Sequence, residues 1–238
     1  MGLFDIFLSE EKRIQKQQRR VTNRDLQPED REAAARWLAD NGSGKALMAL
    51  LSRFEMRLEN QMKDQSEREF VYGLLVQHGN DLARPLRHHL RKARQIAMPV
   101  RLLQELEGEE AAIEVVYDLL RLEAERDDFK PDKKTDLLVW LTDRPHPGAM
   151  EAAVPHLRDF DEAVRYAAAE VILAQMDDAG RVHLQAVLEN PEEESNRLKV
   201  RLCDVFQTRR WTVDDPDAVA ANLPGGYGLV DGRIVANG

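Results

Sequence analysis

Apolar residues recur along this chain at the spacing of a single helix face. Leu47, Leu50, Leu51, Phe54 and Leu58 stand at i, i+3, i+4, i+7 and i+11, the period of an amphipathic helix. Phe70, Val71, Leu74 and Leu75 form a second stripe, and Ile113, Val116, Tyr117 and Leu120 a third. Leu137, Leu138 and Leu141 follow, then Val164, Ala168, Val171 and Ile172, then Leu198, Leu202, Val205 and Phe206. Helix-breaking clusters separate them: NGSG, HGND, EGEE, FKPD, RPHPG, MDDAG and ENPEE. The pattern predicts a nearly all-helical chain.

The segments alternate in character, which points to a repeat. First members read GKALMALLSRF, NDLARPLRHHL, EEAAIEVVYDLL, GAMEAAVPHLRD and AGRVHLQAVLEN; second members include EREFVYGLLVQHG and EAVRYAAAEVILAQ. A basic residue enters each second helix at Arg68, Arg101, Lys133, Arg165 and Arg197, in steps of 33, 32, 32 and 32. Apolar side chains stand three, six and seven positions behind both Arg68 and Arg165. The expectation is five antiparallel helix pairs, preceded by a single helix near residues 29–41. The three alanines 167–169 suit a helix that other backbones approach closely on several sides.

AAVPHLRDFDEAVRYAAAEVILA resembles a HEAT repeat of the short bacterial kind. Pro155 sits inside its first helix, Asp159 and Asp161 in its turn, and Val164-Arg165 open its second helix ahead of Ala168. The match is strong over residues 147–177; the other repeats share the periodicity and part of the basic position. The resemblance implies an all-α fold, a right-handed α-α superhelix of about five helix pairs (a HEAT-like solenoid). It also implies that Asp159 and Arg165 belong to a structural ladder between repeats rather than to a site.

Both ends differ from the middle, as the caps of a stack must. Residues 1–27 read as an amphipathic and basic arm or capping helix, 28–212 as the solenoid, and 213–238 as a C-terminal cap. GYGLVDGRIV carries a β-hairpin signal, with Asp231-Gly232 supplying a type I′ turn. In the arm, Leu3, Phe4, Phe7 and Leu8 form an apolar face ahead of two basic turns. Such a helix caps the first repeat, contacts an anionic membrane surface through residues 1–24, or serves as a peptide-like arm held by a partner. Gly2 alone does not make a myristoylation signal, since position 6 is Ile6.

The formal net charge of −9 argues against a dedicated nucleic-acid binder. It is unevenly spread. Residues 12–24 and 84–101 carry cations and no acid. Arg84, Arg87, His88, Arg91, Lys92 and Arg94 are therefore a candidate patch for an anionic partner, or a solvated face balancing acidic neighbours. A single cysteine, Cys203, excludes an internal disulfide and suggests a reducing, cytoplasmic setting.

Motifs for chemistry are sparse. NGSGK lacks the glycine and hydroxyl residue of a phosphate loop, because Ala39 and Ala46 hold those positions; it reads instead as a helix C-cap at Gly42 followed by an N-cap at Ser43. The histidines have no chelating spacing, and no metal or cofactor is expected. Most carboxylate clusters, at 127–128, 177–178, 192–194 and 214–215, fall at inferred helix ends. Asp136, Trp140 and Asp143 lie within two turns of one helix, an arrangement similar to that of alkylpurine DNA glycosylases built from HEAT-like repeats. The resemblance to the repeat family as a whole favours a non-enzymatic scaffold. Its protein partner would lie on the concave face and touch second-helix residues such as Tyr72, Arg101, Tyr166 and Arg201.

Overall fold

The computed structural model describes residues 9–125, 131–176 and 178–237. Among them the chain forms thirteen α-helices and one two-stranded antiparallel sheet near the C-terminus. No described helix is long and apolar enough to cross a membrane. The chain divides into two compact units, Met1–Leu119 and Leu120–Gly238. The arm's Leu3, Phe4, Phe7 and Leu8, the acids at 127–128 and Asp177 lie outside the described residues.

The first unit holds α1 (Glu10–Val21), α2 (Pro28–Asn41), α3 (Gly44–Leu51), α4 (Gln61–Val76), α5 (Ala83–Lys92) and α6 (Ala97–Glu107). Its helices alternate between two rows. α2 packs on α4 and α4 on α6, while α1 packs on α3 and α3 on α5. Leu38, Leu47, Leu50, Phe54, Leu75 and Leu86 are fully enclosed between the rows. α1 docks through Ile14 and Val21, both buried. The NGSG stretch folds as its residues suggest: Gly42 caps α2 with a left-handed φ of 63°, and Ser43 Oγ accepts from the Ala46 amide at 3.3 Å.

Two boundaries differ from expectation: α3 passes at Leu51 into a 3₁₀ turn, Ser52–Glu55, so Leu58 lies beyond the helix, and the next helix starts early. α4 begins at Gln61, where Asn60 Oδ1 accepts from the Lys63 amide, so Arg68 lies in mid-helix rather than at its entrance. The early start carries Asp64 and Glu67 onto the buried face, in line with Val71 and Leu75. Two arginines meet them there. Arg53, 1% exposed, donates to Asp64 at 2.8 Å and to Glu67 at 3.3 Å. Arg31 forms a paired contact with Glu67 at 2.9 and 2.6 Å. The hydrogen bond to Glu67 raises the Arg31 pKa further. A buried charge left without its counter-ion costs far more than an exposed one.

α7 (Glu109–Ala124) runs across the division. The second unit continues with α8 (Pro131–Thr142), α9 (Ala149–Ala153), α10 (Glu162–Ala174), α11 (Gly180–Glu189), α12 (Asn196–Arg209) and α13 (Pro216–Asn222). α9 is short because Pro155 lacks an amide hydrogen and its ring crowds the carbonyl of residue 151. The chain proceeds as a 3₁₀ turn, Val154–Arg158. α10 starts where Asp161 accepts from the amides of Ala163 and Val164, at 2.9 and 3.3 Å. Ala167, Ala168 and Ala169 are all buried, and α8, α9 and the 3₁₀ turn pack against their helix. α11 comes equally close: a Cβ on Gly180 would stand 2.5 Å from Ile172 Cγ2.

The hairpin pairs β1 (Tyr227–Val230) with β2 (Arg233–Ala236). Asp231 and Gly232 both have positive φ, 49° and 72°, as a type I′ turn requires. β2 lies on α12 and β1 on α13, with Ile234 buried. α13 is an addition to the expected cap; Asp215 capping a helix that opens with Pro216 is its signal in the sequence.

Removing the shared carboxylate should expose the weight of the buried network. Glu67→Ala is expected to lower stability by about 3–5 kcal/mol, because Arg31 loses its paired contact and Arg53 one of its two carboxylates. The exposed-site variant Glu69→Ala should cost under about 1 kcal/mol. Urea unfolding of both variants checks this; equal small losses would contradict it.

Candidate functional site

The nominated second-helix residues fall into two clusters, one in each unit. In the first unit α4 presents Glu69 and Tyr72, and α6 presents Arg101 and Glu105. Arg101 donates to Glu69 at 2.8 Å and lies over the Tyr72 ring at 4.3 Å. The Tyr72 hydroxyl donates to Glu105. Burial and then that carboxylate push the Tyr72 phenol up to about 12. Tyr72 is 6% exposed. Arg101 covers it and is itself the outward-facing group. One helix earlier, Arg36 of α2 lies over Phe70 at 4.5 Å.

The second unit repeats the chemistry with different residues. Arg201 of α12 grips Glu170 of α10 through two hydrogen bonds, at 2.6 and 3.0 Å, and that contact raises the arginine's pKa. Tyr166 is half-buried beneath Arg197, whose guanidinium stands 3.8 Å from the ring centre. Tyr166 therefore offers an edge rather than a face. Each unit thus places an arginine over an aromatic ring beside carboxylates, Arg101 over Tyr72 and Arg197 over Tyr166.

Sequence reasoning missed Glu69, Glu105, Glu170 and Arg197. The available signal was an opposite charge about one repeat away: Glu69 lies 32 residues before Arg101 and Glu170 lies 31 before Arg201.

The ladder inferred for Asp159 and Arg165 is built differently from a direct Asp–Arg pair. Arg165 donates to the backbone carbonyls of Asp159 and Phe160, both at 3.0 Å, and grips Glu193 at 2.7 and 2.8 Å. The Asp159 carboxylate turns the other way and accepts from Lys134 at 2.7 Å. Both residues serve the framework. Lys133, from the same basic series, is wholly enclosed and meets Glu123 at 2.7 Å.

The basic patch sits on and just after α5. Arg84, Arg87, His88, Arg91, Lys92 and Arg94 are all exposed, and Arg87 pairs with Glu107. Arg84 and His88 also edge a groove of about 1250 Å³ bordered by α1, α3 and α5. Glu10, Glu11 and Asp81 line the same groove, and Lys45 is paired with Glu11 at 3.2 Å. The mixture of signs gives the groove no concentrated positive field.

Asp136 and Asp143 are both exposed, and Trp140 is half-buried. Arg144 covers the Trp140 ring at 4.0 Å and donates to the Trp140 carbonyl at 2.8 Å. A covered ring is not a platform for a nucleobase. Cys203 is buried and its thiol is pushed up to about 12 by burial, which removes it as a nucleophile.

No family model, curated protein or solved structure matches the chain.

His156 is 2% exposed. Burial lowers its pKa below the usual 6.5, as does Lys134; Asp159, a hydrogen bond to the Leu120 backbone and Glu123 oppose the shift without cancelling it. Its Nε2 has no hydrogen-bond partner among the described residues. The unfolded chain therefore binds a proton more readily than the folded one. The stability that neutral His156 contributes is present above about pH 6.5 and is lost as pH falls through the depressed folded value. Denaturation midpoints at pH 7 and pH 5 should differ more for the wild type than for His156→Phe. An equal acid sensitivity of the two proteins would contradict this assignment.

Proposed function

We propose that the chain is a HEAT-like right-handed α-α superhelix that acts as a non-enzymatic scaffold, holding a protein partner on the exposed surface of its second helices. The observation that carries this reading is the spacing of its polar contacts. Within each unit, side chains repeatedly find partners about one repeat away: Glu69 with Arg101 at 32 residues, Tyr72 with Glu105 at 33, Glu170 with Arg201 at 31 and Glu162 with Ser195 at 33. Stacked repeats of one length produce that regularity, and their second helices form an extended surface suited to a large partner.

The chemistry of that surface fits binding better than catalysis. Guanidinium groups stacked on aromatic rings are held in place by neighbouring carboxylates, and pre-ordered arginine and tyrosine dominate binding energy at protein interfaces. Arg101 and Arg201 are the contact residues on this reading, with Tyr72 and Tyr166 as the supports beneath them and beside them. The function rests on an analogy of fold, since unrelated activities share such scaffolds.

Affinity purification from native cells, comparing the wild type with the Arg101→Ala/Arg201→Ala variant, tests the proposal. A protein enriched by the wild type should fall at least about tenfold with the variant, as expected when interface anchors are truncated, while circular dichroism stays unchanged. Equal recovery by both, or no enrichment over a tag-only control, would overturn it.

A further inference from the structure

The two acid-free basic segments of the sequence, 12–24 and 84–101, meet on one row of the first unit. α1 carries most of the first and α5 most of the second, and α3 lies between them, packed on both. α2 and α4 pack on the inner side of this row.

Spacing turns the cations of both helices away from the core. α1 buries Ile14 and Val21, which puts Lys12, Lys16 and Arg19 on the opposite side of the helix, and all three are exposed. α5 buries Leu86 and Leu90, which does the same for Arg84, His88 and Arg91. The result is two basic ridges on either side of the groove over α3.

Much of this charge has no use inside the fold. Lys12, Arg19, Arg84 and Lys92 form no ion pair among the described residues, whereas Arg20 is paired with Asp30, Arg87 with Glu107 and Lys45 with Glu11. Two of the acids beside the ridges are already engaged, Glu10 by Asn41 and Glu11 by Lys45, each at 3.2 Å. A cationic face on a chain of net charge −9 draws anions to that face alone.

The surroundings of the ridges decide the class of anion. α1, α3 and α5 contain no phenylalanine, tyrosine or tryptophan, so they offer no rings on which bases could stack. The groove between the ridges is lined by Ile14, Met48, Ala49 and Pro85. In the sequence, Leu3, Phe4, Phe7 and Leu8 stand immediately ahead of α1. Long basic side chains bordering apolar ones suit the headgroup layer of a bilayer.

We infer that the α1–α3–α5 face lies against an anionic lipid bilayer, with Lys12 and Arg19 on one ridge and Arg84 and Lys92 on the other meeting the lipid phosphates and carboxylates. The contact uses the opposite row from α4 and α6, and so leaves the second-helix surface of this unit open to a protein partner.

Flotation of the full chain with vesicles of equal parts phosphatidylserine and phosphatidylcholine, against phosphatidylcholine alone, tests this. The chain should float with the anionic vesicles only, and raised salt should release it, because attraction between exposed charges is screened. Lys12→Gln/Arg19→Gln and Arg84→Gln/Lys92→Gln should each weaken binding about tenfold or more, as expected when two basic side chains leave an anionic surface. The combined variant should not float. All four side chains are exposed, so circular dichroism should stay unchanged. Arg101→Ala/Arg201→Ala should float like the wild type, so failure here is separable from failure of the second-helix surface. No flotation, or equal flotation with both vesicles, would overturn the assignment. So would wild-type binding by Arg84→Gln/Lys92→Gln, since α1 and the residues ahead of it would then act alone. Binding of double-stranded DNA without flotation, abolished by the four substitutions, would make a nucleic acid the occupant and overturn it too.

Discussion

A charged group enclosed between helices must find its counter-ion nearby, and in this protein most of the helix packing is arranged around that requirement. Arg31, Arg53, Asp64 and Glu67 meet in the first unit, and Glu123, Lys133, Lys134, Asp159, Arg165 and Glu193 form the corresponding contacts in the second. Each contact joins two elements that apolar packing alone would allow to slide. Leucine and alanine faces supply most of the driving force for burial, but they are permissive about register. The enclosed pairs are not, because a shift of one residue would strand a charge in a dry interior. Stability and a defined alignment therefore come from different side chains.

The same logic carries to the surface in weaker form. Arg101 on Tyr72 and Arg197 on Tyr166 are cation–π contacts near solvent, each worth roughly 0.5–1 kcal/mol. Their effect is to hold long, otherwise mobile side chains flat against neighbouring helices. A surface prepared in this way gives up less freedom on binding, which links the packing to the proposed role.

Much of the fold was legible in the sequence, for physical reasons that can be named. Helical periodicity is dictated by burial on one face, so the six apolar stripes mark α3, α4, α7, α8, α10 and α12. Gly42, Ser43, Asp161 and the Asp231-Gly232 pair act through local backbone geometry, and local chemistry reads well from local sequence. The start of α4 did not, because Asp64 and Glu67 look like solvated charges until Arg31 and Arg53 are brought against them from 36 and 14 residues away. The burial of Tyr72 was hidden for the same reason, since it depends on Arg101 and Glu105 of α6. The regular spacing of opposite charges was present in the sequence and could have been read as pairing.

On the proposed reading, the helix pairs form a stack in which each pair draws its stability from its immediate neighbours. Native-state hydrogen exchange on Glu193→Ala tests it most directly. The substitution removes the partner of Arg165 between α10 and the loop that leads into α12. A nearest-neighbour stack predicts that amide protection falls sharply in α10 and α12 while α2 and α4 keep theirs. An equal loss of protection in every helix would show a single cooperative core and contradict the account.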